Sequence, residues 1–210
     1  MNRRLFIKGS ATALPATVAL QMMSTRFAFA QSSDFSGDVD VLNYAQTLEY
    51  LESEFYRQGN AANLLSGKDK TYLEAIGADE DAHVAALSQT IEKLGGTPVK
   101  APAVDFGKSF SSAKSFLKTA HVFENTGVSA YLGAAGSITN PDILQAAVGI
   151  FGVEARHAAV VGNLLGLAPE GGVYKGATET ALSKGEVLKA VAPFLAADSG
   201  AMAGGAAVTR

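Results

Sequence analysis

The sequence predicts an all-α protein, an antiparallel four-helix bundle with a long connection between its second and third helices. Three observations predict it. Apolar residues recur at helical spacing over four long stretches, Gly and Pro punctuate the chain between them, and no strand-like alternation of useful length occurs. Short links join the first pair and the second pair, as an up-and-down bundle requires.

The first helix, about 38–58, places Leu42, Ala45, Leu48, Leu51 and Phe55 at helical spacing. A connection over 59–67 contains Asn60, Asn63 and a terminal Gly67. The second helix, about 68–94, stops at Gly95-Gly96, a good C-terminal signal. The link over 97–110 holds Pro98 and Pro102 and cannot be a continuous helix. The third helix runs over about 112–137. Asn140-Pro141 then supplies an N-cap and an N1 proline for the fourth, about 141–165. Beyond Pro169, Ser183 and Glu186 form a capping box for a short helix over 184–192, which Pro193 ends. The mostly Gly and Ala run over 199–207 reads as a frayed end. The expected organisation is therefore a leader over 1–30, a bundle over 31–168 and a C-terminal extension over 169–210.

Composition narrows the function. The chain is 48% hydrophobic and 18% charged over 210 residues, which rules out disorder for most of it. It has no Cys, so disulfides, thiolate metal sites and cysteine nucleophiles are excluded. With a net charge of −3 and no long basic run, it is no nucleic-acid binder.

Residues 1–30 carry Arg3, Arg4, Lys8 and Arg26 and no acidic residue. They have a basic start, a weakly apolar middle and Ala28-Phe29-Ala30, a small-x-small site for cleavage after Ala30. Pro15 and the short apolar run argue against a membrane anchor, so no stable span is expected after cleavage. Removing the segment turns 17 basic against 20 acidic residues into 13 against 20, a mature charge of −7. Arg3-Arg4-Leu5-Phe6-Ile7-Lys8 resembles a twin-arginine signal. That resemblance implies handling by the twin-arginine export machinery and a periplasmic protein exported already folded. A metal acquired in the cytoplasm would then not compete with periplasmic metals, which suits a weakly selective O/N ligand set.

The strongest signal is an internal repeat. At an offset of 75, Leu42, Ala45, Glu49 and Tyr56 fall on Leu117, Ala120, Glu124 and Tyr131. At an offset of 74, Glu80 and His83 fall on Glu154 and His157. Each half thus carries a Glu, a Tyr seven residues later, and a Glu-x-x-His about thirty residues on, as duplication of a helical hairpin would leave. The chain has only three histidines, so two at one spacing form a specific pattern. Residues three apart share a helix face and can reach one metal ion or one edge of a metal pair.

The surrounding stripes point that face inward: Leu73, Ile76 and Leu87 around the first Glu-x-x-His, and Ala147, Ile150 and Val161 around the second. Four carboxylates in a bundle core would repel and lose hydration, at several kcal/mol each. Two divalent cations would offset this, since four Glu and two neutral His set −4 against +4. The alternative, ion pairs on a solvated face, fits the apolar stripes poorly.

With Glu on the first and third helices and Glu-x-x-His on the second and fourth, the plan resembles the ferritin-like superfamily of di-iron and di-manganese carboxylate proteins. The likeness spans about 38–166. Leu48-Glu49-Tyr50-Leu51-Glu52-Ser53-Glu54-Phe55-Tyr56 is similar to exported ferritin-like domain proteins related to desiccation-induced plant proteins. By that resemblance Glu80 and Glu154 bridge the metals, while Glu49, Glu124, His83 and His157 are terminal ligands. Glu52, one turn from Glu49, could share or replace its role. Its counterpart in the third helix is Gly127, and Glu49 is preferred because only it has the Glu-to-Tyr spacing repeated there. Tyr56 and Tyr131 could hydrogen-bond a ligand carboxylate on a neighbouring helix, and His121, one turn before Glu124, is a further candidate neighbour of the ligands. Arg156 is expected to pair with a surface carboxylate.

Two function classes follow. One is an oxidoreductase acting on O₂ or peroxide through two Fe or Mn ions: ferroxidase or peroxidase with Fe, catalase-like with Mn. The other is a non-enzymatic metal-binding or structural stress protein. No Cys-rich segment supplies a built-in electron-transfer partner. The proline-bearing link and the short tail suit a monomer or dimer rather than a storage cage.

Overall fold

A computed structural model describes residues 34–196. The expected leader over 1–30 and the Gly/Ala run over 199–207 lie outside the described residues. Helices α1 (Asp38–Ala61), α2 (Gly67–Lys93), α3 (Ala113–Ala134) and α4 (Pro141–Leu164) form the bundle, and α5 (Lys184–Val191) follows. Three-residue 3₁₀ turns, Ala135–Ser137 and Ala192–Phe194, end α3 and α5. Helices α1 and α2 form one hairpin, α3 and α4 the other; α1 packs across on α3, and α2 more sparsely on α4. The all-α bundle is as the sequence predicts.

The helix ends follow their local chemistry. Ser112 caps α3 by accepting from the Ser115 amide at 3.1 Å. Asn140 caps α4, accepting from Asp142 at 2.9 Å, with Pro141 at the first helical position. Gly95, at φ 76°, closes α2, as its amide and that of Gly96 reach back to Glu92 and Ile91 at 2.9 Å each. The Ser183–Glu186 capping box starts α5.

Helix α1 runs three residues past its expected end at Gln58. Gly59, read from sequence as the start of a link, is a contact residue inside the helix: a Cβ there would lie 2.2 Å from the Phe116 ring of α3. The glycine serves close packing between hairpins and does not end the helix.

The carboxylate-bearing layer divides the core. Toward the C-terminal end of α1, Phe55, fully buried, is ringed by Phe106, Phe110, Phe116 and Phe123 at centroid distances of 4.9–5.3 Å. Toward its N-terminal end lie aliphatic and small residues: Leu42, Ala45, Leu87, Ile91, Ile143 and Ala147, with Tyr131.

The extension is docked on the bundle. Val187 and Val191 are buried, and the amides of Asp105 and Ala196 donate to Phe194 and Ala103, both at 2.9 Å. The Leu182 carbonyl lies 1.9 Å from where a Cβ on Gly133 would sit, so only glycine admits this approach. Helix α4 is long and apolar enough to cross a membrane by length and composition alone, with mean hydropathy 1.2 over its best window. Its Glu154 and His157 are nevertheless buried in the bundle.

Candidate metal centre

Each bundle helix delivers its carboxylate from a stripe of apolar neighbours. Glu49 lies between Leu48 and Leu51 of α1, and Glu124 follows Phe123 on α3; all five positions are buried. On α2, Glu80 and His83 are three residues apart and so share a face; on α4, Glu154 and His157 do the same. Glu49, Glu80, Glu124 and Glu154 are each 0% exposed, and His157 is 5% exposed. Six side chains that are distant in sequence converge here.

His83 Nδ1 sits 3.0 Å from Glu80 Oε2, 3.2 Å from Glu154 Oε1 and 3.3 Å from Glu49 Oε2. His157 Nδ1 sits 2.9 Å from Glu80 Oε1 and 3.3 Å from Glu124 Oε2. Two groups of ligand atoms result, Glu49–Glu80–His83–Glu154 and Glu80–Glu124–Glu154–His157, each mutually within 4.8 Å. Glu80 and Glu154 belong to both.

Only some of these atoms are paired: His83 Nδ1 is within hydrogen-bond reach of Glu80 Oε2 and Glu49 Oε2. Glu80 Oε1, Glu124 Oε2, both Glu154 carboxylate oxygens and His157 Nδ1 are buried with no hydrogen-bond partner. A single Nδ1–H cannot serve three carboxylate oxygens at once, so lone pairs face one another across the layer. Orphaned buried polar atoms of this kind carry a large penalty unless a cation fills the space. The donors are carboxylate oxygens and imidazole nitrogens without a thiolate, which suits divalent first-row transition metals. The residues present fit a metal pair.

The tyrosines cross between hairpins. Tyr56 of α1 donates from its hydroxyl to Glu124 of α3, and Tyr131 of α3 donates to Glu49 of α1. Each fixes the opposite hairpin's carboxylate, as the repeated Glu-to-Tyr spacing suggests. Burial, reinforced by the carboxylate it meets, holds each phenol well above its usual range, so both stay protonated donors.

Glu52 is 4% exposed and enters the same layer. Its Oε1 and Glu154 Oε2 lie 3.4 and 3.0 Å from where a Cβ on Gly127 would sit. The glycine on α3 thus leaves the room that the fifth carboxyl occupies. Burial and then the charges of Glu154, Glu124, Glu49 and Glu80 push Glu52 well above the carboxylate range.

The other groups titrate in the same sense. Burial and the Glu154 charge raise Glu80 to about 7, against the lowering effect of the adjacent His157 and His83 imidazoles. Burial raises Glu154 and Glu124 as well. Burial pulls both imidazoles down, but the surrounding carboxylates prevail. Glu154, Glu49 and Glu80 push His83 up to about 12, and Glu124 and Glu80 push His157 up to about 11. Without metal, protons hold the carboxylates together.

Two placements differ from expectation. His121 does not join the cluster: its Nε2 lies 3.2 Å from the Gly172 carbonyl, because its side of α3 faces the 171–173 turn. Arg156 donates to the Gly152 carbonyl one turn back at 2.5 Å rather than to a carboxylate. One residue escaped the sequence reading altogether. Asp79 Oδ2 lies 3.1 Å from His157 Nε2, the far side of that imidazole. It falls on Val153 at the repeat offset, so the duplication concealed it; its position beside Glu80 was the available signal.

Comparison with known proteins agrees with the helical fold. A crystal structure of a hypothetical protein from Methanococcus jannaschii DSM 2661 aligns with a TM-score of 0.53 at 16% identity, over 73% of this chain and 91% of that one. At that identity the likeness bears on the fold alone. No curated protein matches the sequence. The ferritin-like domain family matches residues 37–167, the whole bundle with every residue of the cluster. The chain belongs to the ferritin-like domain family.

Proposed function

We propose that the protein is an exported dimetal-carboxylate protein that holds two Fe or Mn ions and reacts with O₂ or peroxide, in oxidative or desiccation stress protection. The observation that carries this reading is the pair of four-residue ligand groups sharing Glu80 and Glu154. Glu80 and Glu154 would bridge, Glu49 with His83 would complete one ion's ligands, and Glu124 with His157 the other's. A redox-active pair so bound would supply electron transfer to a small oxidant, with the carboxylates tuning its potential.

The chain's own residues prepare that site. Tyr56 and Tyr131 orient the two terminal carboxylates from the opposite hairpin. Asp79, 3.1 Å from Nε2 of His157, would hold the proton of a neutral imidazole on that nitrogen and so leave the Nδ1 lone pair for a metal. The apolar layers on both sides exclude bulk water and strengthen the electrostatics within. Export through the twin-arginine route, with cleavage after Ala30, would let the folded protein keep a metal loaded in the cytoplasm.

Rapid mixing of Fe(II)-loaded protein with O₂ and with peroxide tests the activity, alongside oxygen evolution from peroxide by Mn-loaded protein. Oxidation faster than that of free Fe(II), or oxygen evolution, supports the redox reading. If neither occurs while the metals remain bound, the protein is a non-enzymatic metal-binding stress protein.

A further inference from the structure

The layer of the bundle next to the carboxylates holds a cavity of about 60 Å³. Its walls include Ala45, Leu87, Tyr131, Ile143, Ala147 and Ile150, drawn from all four helices. Ala45 lies four residues before Glu49, Leu87 four after His83, and Ile150 four before Glu154. The cavity therefore sits about one helical turn, some 5 Å, from the ligand layer. Tyr131 joins the two, lining the cavity and donating to Glu49. The opposite side of the ligand layer is filled by the Phe55 cluster.

The wall chemistry selects the occupant. Thr90 donates to the Ala86 carbonyl at 2.7 Å, and the Tyr131 hydroxyl is already engaged. Among the described lining side chains only the buried Tyr44 hydroxyl lacks a partner, and a trapped water needs about two to four partners. The space is too small for an organic ring but of the size that a diatomic gas or xenon fills. Ala86 and Ala146, both exposed, lie at its α2 and α4 walls, where small side chains leave a way in from solvent.

We propose that this cavity is a docking site for a small apolar gas, with dioxygen the occupant in use, next to the metal-binding layer. The site stands on the cavity itself; its use for dioxygen rests on the redox reading above. Peroxide, which is polar, would not partition into these walls.

Xenon is the probe, applied to the purified metal-free protein by NMR titration or in pressurised crystals. We expect one xenon atom between Ala45, Leu87 and Ala147. Ala147→Phe should abolish it, and the milder Ala45→Val should weaken it if the larger change prevents folding. In Fe(II)-loaded protein the same changes should slow the reaction with O₂ by about fivefold or more, as the local supply is lost. Absence of xenon from the wild-type cavity overturns the site. Filled variants that lose xenon yet react with O₂ at the wild-type rate overturn its role in supply. Xenon uptake in a protein whose Fe(II) form ignores O₂ upholds the gas site and overturns the redox reading instead.

Discussion

The α1–α2 hairpin carries Glu52 and Asp79 at positions where the α3–α4 hairpin has Gly127 and Val153. In every other respect that bears on the cluster the hairpins match: a Glu, a Tyr that reaches across, and a Glu-x-x-His. The shared plan places two ion-sized groups around Glu80 and Glu154. The unshared residues make those groups unequal. Both extra acids of the first hairpin act on the second: Asp79 holds His157, and Glu52 lies beside Glu154 in the space that Gly127 leaves. The repeat supplies two overlapping groups of candidate ligands, and two departures from it make those groups unequal.

Breaking the shared plan should have the largest effect. Glu80→Ala or Glu154→Ala removes a residue common to both groups, so metal content should fall from two ions to fewer than about half an ion per chain. The metal-free variants should unfold at the same temperature as the parent or higher, because a desolvated, crowded carboxyl has been deleted. Metal analysis and thermal unfolding together check this.

The next test separates the two carboxylates of α1. Glu49→Gln should cost one ion, since Glu49 belongs to one group only, whereas Glu52→Gln should retain both. Glu52 lies where it is driven toward its neutral form, and glutamine resembles a protonated glutamic acid. Loss of an ion from the Glu52 variant and not from the Glu49 variant would exchange their roles.

Asp79→Ala removes one source of the inequality between the hairpins. Removing the partner of His157 should weaken one of the two binding steps by about 10–100-fold and leave the other unchanged. Titration with a single metal should then change from two separated steps to two closer ones.

Proton linkage gives a smaller effect with a definite sign. In the metal-free protein Glu80 is raised from 4.5 to about 7, and His157 and His83 from 6.5 to about 11 and about 12. The folded state therefore holds protons that the unfolded chain releases. The stability from the histidines is fully present below pH 6.5 and is lost as pH rises toward their folded values, while the Glu80 contribution declines between 4.5 and about 7. Urea midpoints of metal-free protein should fall from about pH 5.5 to about pH 8.5. Added metal must displace those protons, so its stabilisation should grow over the same range.

The four helices and the six-residue Glu and His cluster were legible because a bundle writes its core as a 3.6-residue period and its internal repeat as a fixed offset. Glu49, Glu80, His83, Glu124, Glu154 and His157 stand out for that reason, and the structure brings their side chains together. What was not legible depends on three-dimensional neighbours. His121 has the right spacing from Glu124 but faces Gly172, which only the path of the extension decides. Asp79 looks like a surface acid, and its role appears only once α4 lies against α2. Gly59 looks like a helix end until the Phe116 ring is placed beside it.

The central claim is that α1–α4 hold two transition-metal ions in the layer defined by Glu80 and Glu154. Elemental analysis of protein purified without chelator, repeated after reconstitution with Fe(II) or Mn(II), tests it most directly. The expected result is about two ions per chain, bound with release of protons. Less than about half an equivalent of any transition metal, unrecovered by reconstitution, would contradict it.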